Sequence, residues 1–148
     1  MILLDTNVLS ELMRVKPAPQ VLEWVDAQPA SDLVISAITV AEILYGIARQ
    51  PDGKRKQGLL EIASAMFDED FAGNILPFDA DAAVHYAEIA ADTEAKGRVV
   101  DMADAQIAAI ARLYDAVIAT RNVRHFETLG VALVDPWNGR EHSAVDRP

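Results

Sequence analysis

The chain has no cysteine. Disulfides, thiolate metal sites and a cysteine nucleophile are therefore excluded, and a reducing compartment, the cytoplasm, is the expected location. No stretch reaches the roughly 18–20 consecutive apolar residues of a membrane helix. The N-terminus has no basic stretch followed by a long apolar one, so no secretory signal is expected. There is no P-loop. Cations are scarce as well: 13 Lys and Arg stand against 23 Asp and Glu, for a net charge of −10. That balance argues against binding nucleic acid through basic patches alone. It leaves open an enzyme that meets nucleic acid through metal ions.

What the chain does have is an apolar content of 51% over 148 residues. That suffices for one domain with a full core and is too hydrophobic for disorder. Short strand candidates at 2–4, 32–36, 75–78, 116–120 and 131–134 alternate with helical stretches. Pro77 marks the third strand as an edge or irregular one. Apolar spacing predicts helices over 19–27, 37–50, 54–71, 79–96 and 102–114, the last being the most regular. The alternation implies an α/β fold with a parallel sheet of four or five strands, covered on both faces. Residues 1–138 read as a single domain and 139–148 as a polar, frayed tail.

Four places carry chemistry. Asp5 follows the first strand, where Asp5, Thr6 or Asn7 would cap a helix; it also stands at the strand edge where α/β sheets bind ligands. Glu42 sits about one and a half turns into the second strand's following helix, among apolar neighbours that take it off the fully solvated face. Asp101 and Asp104 have the spacing of a cap and its third residue. Asp104 also shares a helix face with Ile107 and Ala111, so it would be partly buried or face a cleft, and it is the favoured functional member. Thr120-Arg121-Asn122 closes the fourth strand with a hydroxyl and an amide, as Asp5-Thr6-Asn7 closes the first. Each place has an ordinary capping or surface explanation. Together they bring Asp5, Glu42 and Asp104 to one sheet edge. At about 4 Å and an effective dielectric near 20, each pair of carboxylates there costs roughly 4 kcal/mol. No Lys lies in these motifs to neutralise them, whereas a hard divalent cation would.

These segments resemble a PIN domain, and in particular the VapC ribonuclease toxins of type II toxin–antitoxin pairs in their FitB-like branch. The matching residues are Leu4-Asp5-Thr6-Asn7-Val8, Thr39-Val40-Ala41-Glu42-Ile43-Leu44-Tyr45-Gly46, Asp104-Ala105-Gln106-Ile107-Ala108-Ala109-Ile110-Ala111 and Thr120-Arg121-Asn122-Val123-Arg124-His125-Phe126. Asp135-Pro136-Trp137 also matches that branch. The resemblance implies an α/β/α sandwich and Mg²⁺- or Mn²⁺-dependent endoribonuclease activity, restrained by a cognate antitoxin. It implies Asp5, Glu42 and Asp104 as the catalytic acids, Asp5 and Asp104 as metal ligands, and Thr6 and Asn7 as their polar support. Thr120 and Asn122 support the same edge. Asn122 falls where many relatives carry an Asp or Asn, and His125 stands where relatives often have Asp.

Arg14, Arg121 and Arg124 follow or lie within the motifs and are candidate RNA contacts. Trp24 and Trp137 are expected in the core or an interface rather than under a base. A HAD-type start would need Asp where Asn7 stands, and a receiver domain a Lys after a late strand; neither is present. The rival from another class is a non-catalytic PIN-like module that only binds an antitoxin or other protein. A homodimer, and with the antitoxin a dimer of heterodimers, is expected from the resemblance and from apolar residues on the 19–27 and 54–71 helices.

Overall fold

The computed structural model describes residues 1–144. Strand β1 (Ile2–Leu4) leads into helices α1 (Thr6–Leu12) and α2 (Pro19–Asp26). Strand β2 (Leu33–Ser36) is followed by α3 (Ala37–Ala48) and α4 (Lys54–Ala65), and α4 runs on into one wider π-helical turn, Met66–Asp70. Strand β3 (Ile75–Leu76) precedes α5 (Ala80–Ala95) and α6 (Met102–Tyr114). Strand β4 (Val117–Ala119), the short helix α7 (Val123–Phe126), β5 (Leu133–Asp135) and β6 (Arg140–His142) complete the order.

The sheet order is β3-β2-β1-β4-β5-β6. The five strands read from the sequence are all parallel, and β6 adds a sixth, antiparallel to β5. Residues 140–142, within the segment expected to be a frayed tail, are thus part of the sheet. The turn that returns them is held by Gly139 N–H donating to the Asp135 carbonyl at 2.7 Å, with Gly139 at φ 71°, a conformation that suits glycine. The last four tail residues, 145–148, lie outside the described residues. Asp32, expected in the second strand, closes a 3₁₀ turn instead.

Strand alternation builds the two core layers. Leu3 points to one face of the sheet, where it meets Ile118, Leu133 and the buried stripe of α6 from Ala105 to Ala111. Leu4 points to the other, with Leu33, Ile35, Val8 and Ile43. A parallel sheet needs both faces covered, because its crossovers place helices on each. From β1 the chain moves through β2 to β3 on one side and then crosses back to β4 and β5 on the other. The order therefore reverses between β1 and β4, and the crevice beyond their carboxyl ends is where such sheets bind ligands. Asp5 N–H donates to the Ala119 carbonyl at 2.9 Å across this seam.

Ile107 lies one turn beyond Asp104 on α6 and is fully buried. Ile107→Ala is expected to cost about 2–5 kcal/mol through the lost burial and the cavity left behind, measured by urea unfolding.

Candidate active site

Asp5 is held by three donors. Thr6 N–H donates to Oδ1 at 2.8 Å, while the Thr120 hydroxyl at 2.8 Å and the Asn7 amide at 3.1 Å donate to Oδ2. The Thr120 oxygen then accepts from Asn7 Nδ2 at 3.1 Å and from Asn122 N–H at 3.0 Å. Asn7 Oδ1 accepts the Arg121 N–H at 3.2 Å. Two strand ends are tied together through the carboxylate of Asp5, a residue that is 5% exposed.

A second network holds Glu42. Ser36, at the N-cap of α3, accepts from Thr39 N–H at 3.0 Å, and its hydroxyl donates to Thr39 Oγ1 at 3.4 Å. Thr39 and Thr6 hydroxyls lie 3.0 Å apart, and the Thr6 hydroxyl donates to Glu42 Oε1 at 2.8 Å. Each hydroxyl has one proton. Since Thr6 spends its proton on Glu42, Thr39 must donate to Thr6, so the chain points from Ser36 toward the carboxylate. Aligned hydroxyls of this kind strengthen one another. Glu42, expected off the fully solvated face, is exposed as a whole, while its carboxylate end is held toward the cleft by Thr6.

Asp101 caps α6 by accepting the Asp104 N–H at 3.2 Å. The cap spacing read from the sequence is satisfied by Asp101, which leaves the Asp104 carboxylate for other work. Asp104 Oδ2 meets His125 Nδ1 at 3.3 Å.

Asp5, Glu42 and Asp104 line one cleft of about 550 Å³, together with Asn7, Asn122, Arg14, Arg121 and Trp137. Burial lifts the Asp5 carboxyl above its ordinary range, against the opposing pull of Thr120, Thr6, the His125 charge and Asn7. Burial also lifts Glu42, with Asp5 and Asp101 adding to the effect and the Thr6 hydroxyl opposing it. Asp104 is pushed up to about 6, first by burial and then by the Asp5 and Asp101 charges, with His125 pulling the other way. Among the described residues no Lys or Arg forms an ion pair with any of the three.

Their oxygen chemistry fits a hard divalent cation, whose charge would answer the repulsion. No three His, Asp or Glu side chains among the described residues stand close enough to enclose an ion as they are. Binding one therefore requires side-chain adjustment or bridging water.

The PIN domain family matches residues 2–131 of this sequence. The chain belongs to the PIN-domain family. Within it, the chain is 42% identical over 137 residues to the VapC ribonuclease Y4jK of Sinorhizobium fredii, covering 93% of this chain and 98% of that protein. It is 41% identical over 138 residues to the toxin FitB of Neisseria gonorrhoeae, covering 93% and 99%. The crystal structure of FitAcB from Neisseria gonorrhoeae contains a chain that superposes with a TM-score of 0.82 at 37% identity, again covering 93% and 99%.

In this PIN domain the fourth strand's polar turn divides its roles. Asn122 lines the cleft, while its N–H braces Thr120. His125 is the residue that reaches Asp104. Of the three arginines singled out, Arg14 and Arg121 line the acid cleft and Arg124 lies just outside it, beside Asp104 and His125. The Arg121 guanidinium lies 5.0 Å from the Trp137 ring centre; Trp137 is half-buried against the core and also forms part of the cleft wall.

Sequence reasoning missed Glu11, which lines the same cleft at 8% exposure and pairs with Arg14 at 3.2 Å. The available signal was its position four residues after Asn7, on the same face of α1.

Raised carboxyl pKa values make folding favour the protonated forms. For Asp104 that contribution is fully present below its ordinary value of 3.8 and is lost as pH rises through about 6. Asp104→Asn is therefore expected to raise the melting temperature of the metal-free protein at pH 7 by a few degrees. It should also flatten the decline in stability between pH 4 and 6, read from thermal melts across that window.

Proposed function

We propose that this protein is a metal-dependent endoribonuclease, the toxin of a type II toxin–antitoxin pair, working in the cytoplasm. The observation that carries the reading is the gathering of Asp5, Glu42 and Asp104 in one cleft, with no Lys or Arg among the described residues paired to them and all three carboxyls raised. The similarity to a VapC ribonuclease over 93% of the chain supports it.

Asp5 and Asp104 would hold Mg²⁺ or Mn²⁺. Once bound, the ion supplies charge for the phosphodiester and lowers the pKa of water. Asp5 can serve because its donors fix the carboxylate before substrate arrives. Glu42, aimed by the Ser36–Thr39–Thr6 hydroxyl chain, orients the attacking water and takes up its proton. Arg121, steadied by Trp137, meets a phosphate at the mouth of the cleft. RNA is the substrate of this reading.

The antitoxin has a place beside the site. An apolar groove of about 900 Å³ runs between α1, α3 and α4, lined by Met13, Ile43, Ile47, Leu59 and Ile62, and it adjoins the acids through Thr6 and Glu42. An amphipathic antitoxin segment laid there would cover the acids from one side. A homodimer, and a dimer of toxin–antitoxin heterodimers, belong to the same reading. Leu22 and Ile62 leave apolar surface exposed on α2 and α4.

One observation favours the non-catalytic alternative: the His125–Asp104 contact already gives one of the acids a partner. The two readings separate cleanly in solution. Purified protein is expected to cleave RNA with Mg²⁺ or Mn²⁺ and to stop with EDTA. Asp5→Asn should lower the rate on the order of 10²–10⁴-fold, the equivalent of a few kcal/mol of lost charge stabilisation. Cleavage that survives either treatment contradicts the assignment, and a protein that binds no divalent ion by calorimetry supports the binding module.

A further inference from the structure

The acid cleft opens on two sides of different character. One side runs into the apolar groove. The other passes Arg121 and Asn122 into a second cleft of about 640 Å³ between α7 and the β5–β6 hairpin. Its walls carry Arg121, Arg124, His125, Arg140 and His142, all exposed. Three of the chain's 13 Lys and Arg and two of its three His are gathered here, in a molecule of net charge −10.

Among the described residues, two acids share this wall, Glu127 and Asp135. Asp135 is committed to the hairpin turn, accepting from Trp137 N–H at 2.8 Å and Asn138 Nδ2 at 3.3 Å. Among the described residues, none of the three arginines is ion-paired. Arg121 joins the two clefts and is fixed at both ends, its N–H on Asn7 and its guanidinium over Trp137. Val123 is the one apolar residue lining the cleft among the described residues, so a protein partner would find there no apolar anchor of the kind that dominates protein interfaces. A concave, cationic, polar channel ending at a hydrolytic site suits a phosphate backbone.

We propose that the cleft between α7 and the β5–β6 hairpin is the track for single-stranded RNA, with phosphates lying along Arg140, Arg124 and Arg121 on the way to the acids. The proposal rests on the ribonuclease reading above. It gives β6 a purpose: the hairpin carries Arg140 and His142 to the far wall of the track.

The test is fluorescence anisotropy with a short labelled single-stranded RNA across a salt series, in an Asp5→Asn background that prevents cleavage. Arg124→Ala combined with Arg140→Ala is expected to weaken binding about tenfold or more at low salt. It should also make the log–log salt dependence shallower by about 1.4, or roughly 0.7 for each phosphate contact removed. Both side chains are exposed, so melting temperatures should match the parent's. Lys54→Ala with Arg55→Ala removes the same charge from the apolar groove, whose lining shares no residue with the track, and is expected to change affinity less than about twofold near 0.15 M salt, where the Debye length is about 8 Å.

Unchanged affinity and slope in the Arg124/Arg140 variant, with RNA still bound by the parent, overturns the track and leaves the ribonuclease reading standing. Equal losses in both double variants also overturn it, since net charge alone would then explain the binding. A polyglutamate peptide released by the Arg124/Arg140 change while RNA stays bound reassigns the cleft to an acidic protein segment. A parent that binds no RNA at any salt fails the ribonuclease reading itself, and the track with it.

Discussion

Three carboxylates held together against their own repulsion are the constraint around which this structure is arranged. Asp5, Glu42 and Asp104 come from three elements far apart in sequence, and only the reversal of strand order between β1 and β4 brings them to one edge. Burial raises all three carboxyls. A site of this kind lowers the stability of the empty protein near neutral pH, and the two core layers must offset that.

The support around the acids is mostly uncharged. Hydroxyls and amides from Thr6, Asn7, Thr39 and Thr120 donate to the carboxylates directly or through one another. Such donors orient a carboxylate without neutralising it, whereas a Lys or Arg in their place would. The charge is therefore left for a cation to answer. Cationic side chains are kept at the rim, Arg14 paired to Glu11 and Arg121 stacked on Trp137. Among the basic side chains of the described residues, His125 alone touches one of the three acids.

Much of this was legible before the structure. The range predicted for α6 is the one observed, because its cap and its apolar stripe agree with each other. The parallel direction of five strands followed from their alternation with helices, whereas their order in the sheet did not. Strand β6 was not legible: Arg140-Glu141-His142 has no apolar alternation, all three residues are exposed, and only pairing with β5 makes them a strand. Asn138-Gly139 before it was the available turn signal. Glu11 escaped because a buried acid with an exposed arginine partner looks, in sequence, like any surface ion pair on a helix. The exposure of Glu42 escaped because it depends on how α3 sits against α1, which periodicity does not fix.

If these acids form one site for a divalent ion, the melting temperature at pH 7.5 responds to increasing Mn²⁺. Binding to the folded state alone raises stability by RT ln(1 + [L]/Kd), about 2.7 kcal/mol at a hundredfold excess over Kd. A saturable rise is expected in the native protein and is lost in Asp5→Asn. A melting temperature indifferent to Mn²⁺, or one that rises equally in both proteins, would contradict it.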